Sequence, residues 1–270
     1  VPVQEYRKEK VEKRKIGGSR KTRADSALTL VSLFYFLFSQ FGGTNMEEMG
    51  VFQAMHTARA LRRLKPDPVP DELIAKVVDA GVRAPTGSNL QNWRFVVVKD
   101  AGRRRQIAET YRASMEIAAK AYLNRKPPVH MTKERQQKMV SSATYLAEHY
   151  AEVPVLILAW LQLTHEQEHP NLPPEQLPIF QRLSGGSIFP AVQNMIVACA
   201  ALGLGTVLTT VLAYKEDEMR KIINAPEDMR LYAVLPVGYP MEGYGHGPVR
   251  RLPLSEVTYL DSYGNNWPKK

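Results

Sequence analysis

The chain has 270 residues, 44% hydrophobic and 23% charged, enough for one large domain with a full core. A single cysteine excludes an intrachain disulfide framework, and a net charge of +9 without a zinc-finger or RNA-recognition signature argues against nucleic acid. The charge is uneven: residues 1–45 hold nine Lys and Arg against four acids, a net of +5, which leaves +4 for the rest, a balance that suits a binder of anionic cofactors.

The first 25 residues are polar and basic, and Ser26–Phe38 then forms an apolar run. That run is shorter than the ~20 residues a membrane-spanning helix needs, and Ser39–Gly43 lacks a small-x-small cleavage site. Three readings of residues 1–45 stand side by side: a non-native leader before Met46, a disordered or partner-contacting arm, and a targeting or membrane-surface segment. In each, a single folded domain is expected over 46–270, and the protein is expected to be cytoplasmic, without stable membrane insertion.

Apolar residues at Phe52, Met55, Ala58, Leu61 and Leu64 recur at helical spacing, predicting a helix over 51–64 that Pro66 ends. Asp71 caps a second helix whose inner face carries Leu73, Ile74, Val77, Val78, Gly81 and Val82. The stretch Ala84–Val98, APTGSNLQNWRFVVV, joins a small polar loop to a strand; hydroxyls, an amide and approachable backbone are anchored by Trp93, Phe95 and three valines. Trp93–Val98 is expected to face the core.

Long amphipathic helices follow at 103–124 and 132–152, then an apolar strand at 155–161 and a proline-rich loop at 165–178. Ser187 opens an apolar helix over 188–202, which Gly203 and Gly205 stop; Cys199 lies among its apolar residues as a core thiol. Thr206–Val211 reads as extended, Glu216–Ile223 as helix and Leu231–Val237 as strand. Helices and strands intermix without strict βαβ repetition, so the predicted class is α+β, helices packed around a small central mixed β-sheet.

His165-Glu166-Gln167-Glu168-His169 fits the H-E-x-x-H zinc-protease pattern, but Pro170, Pro173 and Pro174 block the helix that pattern requires, and no metal site is expected. No Walker or G-x-G-x-x-G run occurs.

Arg59 and Arg62, three apart, would share a face of a helix and converge on one phosphate, with Arg63 pointing elsewhere. The basic cluster Ala58-Arg59-Ala60-Leu61-Arg62-Arg63, the loop Pro85-Thr86-Gly87-Ser88-Asn89-Leu90-Gln91-Asn92-Trp93 and the arginine of Pro248-Val249-Arg250-Arg251 together resemble the nitroreductase family of FMN-dependent flavoproteins. The resemblance runs to Arg251 and implies a nitroreductase-like fold in an intertwined homodimer with FMN at the interface, the helix 188–202 serving as a dimer seam.

The resemblance further implies that Arg59, Arg62 and Arg251 serve the phosphate. Ala60 offers backbone, Thr86, Gly87, Ser88, Asn89 and Gln91 face the flavin, and Leu208, Thr209 and Thr210 lie near its N5. Three departures stand out: Ala58 replaces the usual first Arg, Ala60 the usual Ser, and Asn92 the usual Pro, which is expected to leave the loop less rigid. The activity implied is hydride transfer from NADPH or NADH through FMN to a small nitroaromatic or quinone-type acceptor by a ping-pong mechanism. No side chain is required as acid, base or nucleophile, and the loop 165–183, with Phe180, would cover the substrate. Reductive dehalogenation or oxygen-dependent flavin fragmentation on the same fold is the alternative, as is a flavin binder without turnover.

Overall fold

The structure, a computed structural model, describes residues 49–123, 131–163, 173 and 175–268. The 1–45 segment and the His165–His169 motif lie outside the described residues, as does the side chain of Phe180.

Four strands form one sheet: β1 (Trp93–Val98), β2 (Val155–Gln162), β3 (Gly205–Thr206) and β4 (Met229–Gly238), in the order β1-β2-β4-β3. Every described pairing is antiparallel, where a mixed sheet is expected from sequence. The reason lies in the connection. Between β1 and β2 run two long helices, α3 (Ala101–Leu123) and α4 (Lys133–His149), and a helical hairpin returns the chain to the end it left. Val98 at the end of β1 accordingly pairs with Leu156 at the start of β2.

Both faces of the sheet are covered, which explains why β2 is an unbroken apolar run. Leu156, Leu158 and Trp160 join one core with Ile107, Tyr111, Leu146 and Tyr150 of the α3–α4 layer. Val155, Ile157, Ala159 and Leu161 join a second core with Ile74 and Val77 of α2 (Asp71–Val82) and Val192, Met195 and Cys199 of α6 (Phe189–Ala201). At Ala159/Trp160 the register slips by one residue, so that Tyr232 and Ala233 both pack toward the α2–α6 side. Helices α2 and α6 approach closely at Gly81, where a Cβ would stand 2.4 Å from Met195 Cε.

Four sequence expectations are corrected. The first helix, α1, covers Val51–Thr57 and not 51–64, because the backbone beyond it pairs with the sheet edge: Leu61 N–H donates to Thr206 O and Lys65 N–H to Tyr239 O. Tertiary hydrogen bonds override helical periodicity there. β1 is an edge strand, so Trp93 and Val98 are buried but Arg94 is exposed and Val97 is 39% exposed. Leu177–Ser184 forms a helix, α5, inside the expected loop, because Pro178 falls in its first turn, where proline starts helices. Thr206–Val211 is extended only in part: β3 ends at Thr206, Thr209 bridges Val234, and a 3-10 turn opens at Val211 and leads into α7 (Glu216–Ile223).

Among the described residues one helical run, Arg182–Ala201, is long and apolar enough to cross a membrane, with a mean hydropathy of 1.3. In the fold its α6 part presents Ala191, Val192, Met195, Cys199 and Ala200 to the core.

Candidate functional site

The strip Ala58–Lys65 is extended, so Arg59 and Arg62 do not share a helical face as the spacing suggests. They nevertheless line one groove, a cavity of about 820 Å³ bounded by Arg59–Arg63 on one side, by α4 on the other and by Tyr244. The residues α4 contributes, Glu134, Gln137, Lys138, Ser141 and Ser142, were not singled out from the sequence. Their spacing of i, i+3, i+4, i+7 and i+8 is one polar helical face, and it carries the signal that could have found them. Four cations, Arg59, Arg62 and Arg63 on one side and Lys138 on the other, line the groove with one carboxylate, Glu134.

Each arginine has a different environment. Arg59 donates from Nε to Gly245 O at 2.9 Å, which fixes its planar head while the rest of it stays exposed. Arg63 lies over the ring of Tyr145 at 3.8 Å and near that of Tyr244 at 4.9 Å, a cation held by two aromatic rings. Arg62 is half-buried, with no hydrogen bond or ion pair among the described residues. Burial holds its guanidinium below the usual range, and the neighbouring Tyr111 partly restores it. Burial in turn pushes the Tyr111 phenol up to about 12, with Arg62 opposing. A half-buried cation that makes no ion pair among the described residues carries a desolvation penalty that an incoming anion would offset.

Arg251 is exposed and donates from Nη1 to Arg250 O. It follows the segment Gly245–Gly247, which touches Arg59 and pairs with Thr57. Leu208, Thr209 and Thr210 run along the outer edge of β4. The Thr209 hydroxyl donates to Val234 O at 2.8 Å and is buried, while Leu208 is 41% exposed and Thr210 exposed, so these two face outward.

The polar loop is at the other end of the sheet. Gln162 at the end of β2 pairs with Asn92 and Met229, whereas the arginine strip follows Thr206, Tyr239 and Pro240. The length of β2, roughly 23 Å, separates them. Within one chain, therefore, Thr86–Gln91 and Arg59–Arg62 are not brought together.

The loop is tightly wound. Ser88, Asn89 and Gln91 have φ of 50°, 54° and 50°, left-handed values that side chains rarely adopt. Gln91 N–H donates to Thr86 Oγ1, Gly87 N–H to Ser187 Oγ and the Gln91 amide to Asn89 Oδ1. Asn92, expected to loosen the loop, is instead buried and donates from Nδ2 to Gln162 O at 2.8 Å, so an amide pins what proline would stiffen.

Cys199 is fully buried, and burial pushes its thiol up to about 12, an inert core residue. Among the described residues no group of three or more His, Cys, Asp or Glu could hold a metal ion. A second charged cavity, lined by Glu216, Asp217, Arg220 and Arg230, is internally neutralised: Arg220 pairs with Glu216 at 2.7 Å and with Asp217 at 2.5 Å.

A family model described as the nitroreductase family matches residues 56–239. An iodotyrosine deiodinase of Daphnia pulex is 27% identical over 206 residues, covering 76% of this chain and 64% of that protein. An NADH dehydrogenase of Thermus thermophilus is 27% identical over 223 residues, covering 74% of this chain and 90% of that one. Among solved structures, an oxidised iodotyrosine deiodinase bound to FMN and 3-iodo-L-tyrosine superposes with a TM-score of 0.56 at 24% identity, over 79% of this chain and 99% of that chain.

Proposed function

This chain belongs to the nitroreductase family, and on that premise we propose that it is an FMN-dependent oxidoreductase whose cofactor phosphate is met by Arg59, Arg62 and Arg251. The observation that carries the proposal is Arg62, half-buried beside Arg59 in an 820 Å³ groove and engaged in no ion pair or hydrogen bond among the described residues. The donor set fits FMN: planar guanidinium groups suit a phosphate, and the groove is within the size range of cofactor sites.

The separation of the strip and the loop is accommodated by a homodimer. A second copy, turned end for end, would carry its Ser88, Asn89 and Gln91 to the first copy's arginines, and the outward part of α6 offers a seam. When bound, FMN supplies a two-electron relay between a nicotinamide and an acceptor. The chain's own residues bind and orient: arginines hold the phosphate, loop donors read the polar edge of the ring, and Leu208–Thr210 line the approach to it. No side chain is assigned as acid, base or nucleophile.

We propose NADH or NADPH as the hydride donor and a nitroaromatic or quinone as the acceptor, a reading supported by the NADH dehydrogenase relative. Reductive dehalogenation is the second reading, supported by the deiodinase relative. The purified protein should be yellow or become so with FMN. Anaerobic NADH or NADPH should bleach it, and a nitroaromatic or quinone should restore the colour. Reoxidation by 3-iodotyrosine in their place, with iodide released, would select dehalogenation; a protein that takes up no FMN would overturn both readings.

A further inference from the structure

The segment after β4 is rich in glycine, with Gly243 at φ 78°, Gly245 and Gly247, and has no regular structure of its own. Such a strap keeps a fixed position only where hydrogen bonds pin it. Tyr244 N–H donates to Met241 O and Gly247 N–H to Thr57 O. Between them, His246 Nε2 stands 2.9 Å from Leu204 O. A carbonyl can only accept, so Nε2 carries the hydrogen and donates it. The other ring nitrogen, Nδ1, is buried without a partner among the described residues, so the imidazole serves this one bond.

Leu204 is a rigid point of attachment. It is fully buried, joins the end of α6 to β3, and its N–H donates to Cys199 O. On the strap, the residue before His246 accepts from Arg59 Nε, the residue after it lies against the Arg59 head, and Arg251 follows five positions on.

We propose that His246 is a positioning residue for the anion site: by tying the strap to Leu204 it fixes Gly245 O, and through it the direction in which Arg59 presents its guanidinium. The role rests on the reading of the groove as the FMN phosphate seat, and it concerns the phosphate alone, since the ring is met by other elements.

The test compares FMN with riboflavin, which lacks the phosphate, by fluorescence titration of the full chain. His246→Leu should weaken FMN about tenfold, the equivalent of one lost hydrogen bond, and leave riboflavin within about threefold. His246→Gln, which keeps a donor at similar reach, should restore FMN binding. Should His246→Leu fail to fold, His246→Asn, too short to reach Leu204 O, carries the same expectation. Equal weakening of both ligands, or no change in either, overturns the inference. Arg59→Ala separates the two levels. If it discriminates FMN from riboflavin while the His246 variants do not, the positioning role alone fails. If Arg59→Ala leaves both ligands unchanged, the phosphate seat itself is misplaced.

Discussion

Gly205 and Gly238 stand directly opposite one another in the β3–β4 ladder, and both lie flush against the strip that carries the arginines. A Cβ on Gly238 would come within 3.1 Å of Pro154 Cδ and 3.2 Å of Lys65 O; on Gly205 it would come within 2.6 Å of Leu64 Cδ2. Gly238→Ala meets ring and backbone that cannot turn aside, and should destabilise the fold by about 1–3 kcal/mol. Denaturant unfolding measures that loss. Flavin titration should show weaker binding in the same variant, because the strip is displaced; unchanged stability and binding would contradict the packing described.

Arg62 should show opposite effects on stability and on binding. Replacing a half-buried cation that makes no ion pair among the described residues by Met keeps its apolar stem and removes a desolvated charge. Arg62→Met should leave the cofactor-free protein as stable as the parent or more so, while FMN affinity falls by about tenfold or more. Thermal unfolding with and without FMN reads both quantities.

Glu216 accepts from Arg220 Nη2 and from the Leu231 N–H, linking α7 to β4. Both side chains of the pair are mostly buried, at 14% and 20% exposure. Glu216→Ala leaves Arg220 with Asp217 and backbone carbonyls, and should cost about 2–3 kcal/mol in urea unfolding. FMN affinity should not change, since this network borders a different cavity from the arginine groove.

Ser88 sits at φ 50° without the local amide that makes Asn tolerable there. Ser88→Gly relieves about 1–2 kcal/mol of backbone strain against a smaller entropic loss in the unfolded chain, a net gain of roughly 0.5–1 kcal/mol. Unfolding midpoints should rise slightly, and flavin binding should weaken if the hydroxyl faces the ring as proposed.

Cys199 gives a pH dependence of known sign. Its folded value, pushed to about 12 by burial, lies above the ordinary 9.0, so the unfolded state ionises first. The contribution is complete below pH 9 and is lost as pH rises from 9 toward 12. Cys199→Ala should flatten that part of the stability profile, and the native thiol should resist alkylation at pH 8 until the protein unfolds.

Much of this architecture was legible in the sequence. β2 is a nearly continuous apolar run and α6 is apolar apart from Gln193 and Asn194, and such segments admit few placements other than the interior. The strip Ala58–Lys65 was misread because helical periodicity is a local signal, whereas its hydrogen bonds go to Thr206 and Tyr239, more than a hundred residues away. The arginines are proposed from residue type, a criterion that does not depend on backbone form, so the proposal survives the change from helix to extended strip. The α4 face gives no distinct signal because charged residues, a glutamine and serines at helical spacing look like an ordinary solvated surface until another element stands opposite. The two-ended placement of strip and loop was beyond reach, since it follows from strand direction and not from any one segment.

On the proposed function, that placement would make cofactor retention a matter of protein concentration. On the paired-chain reading proposed above, an isolated chain offers half the contacts, so each flavin bound also draws two chains together. Dilution would then release FMN, and added FMN would drive association, the two equilibria shifting by the same free energy.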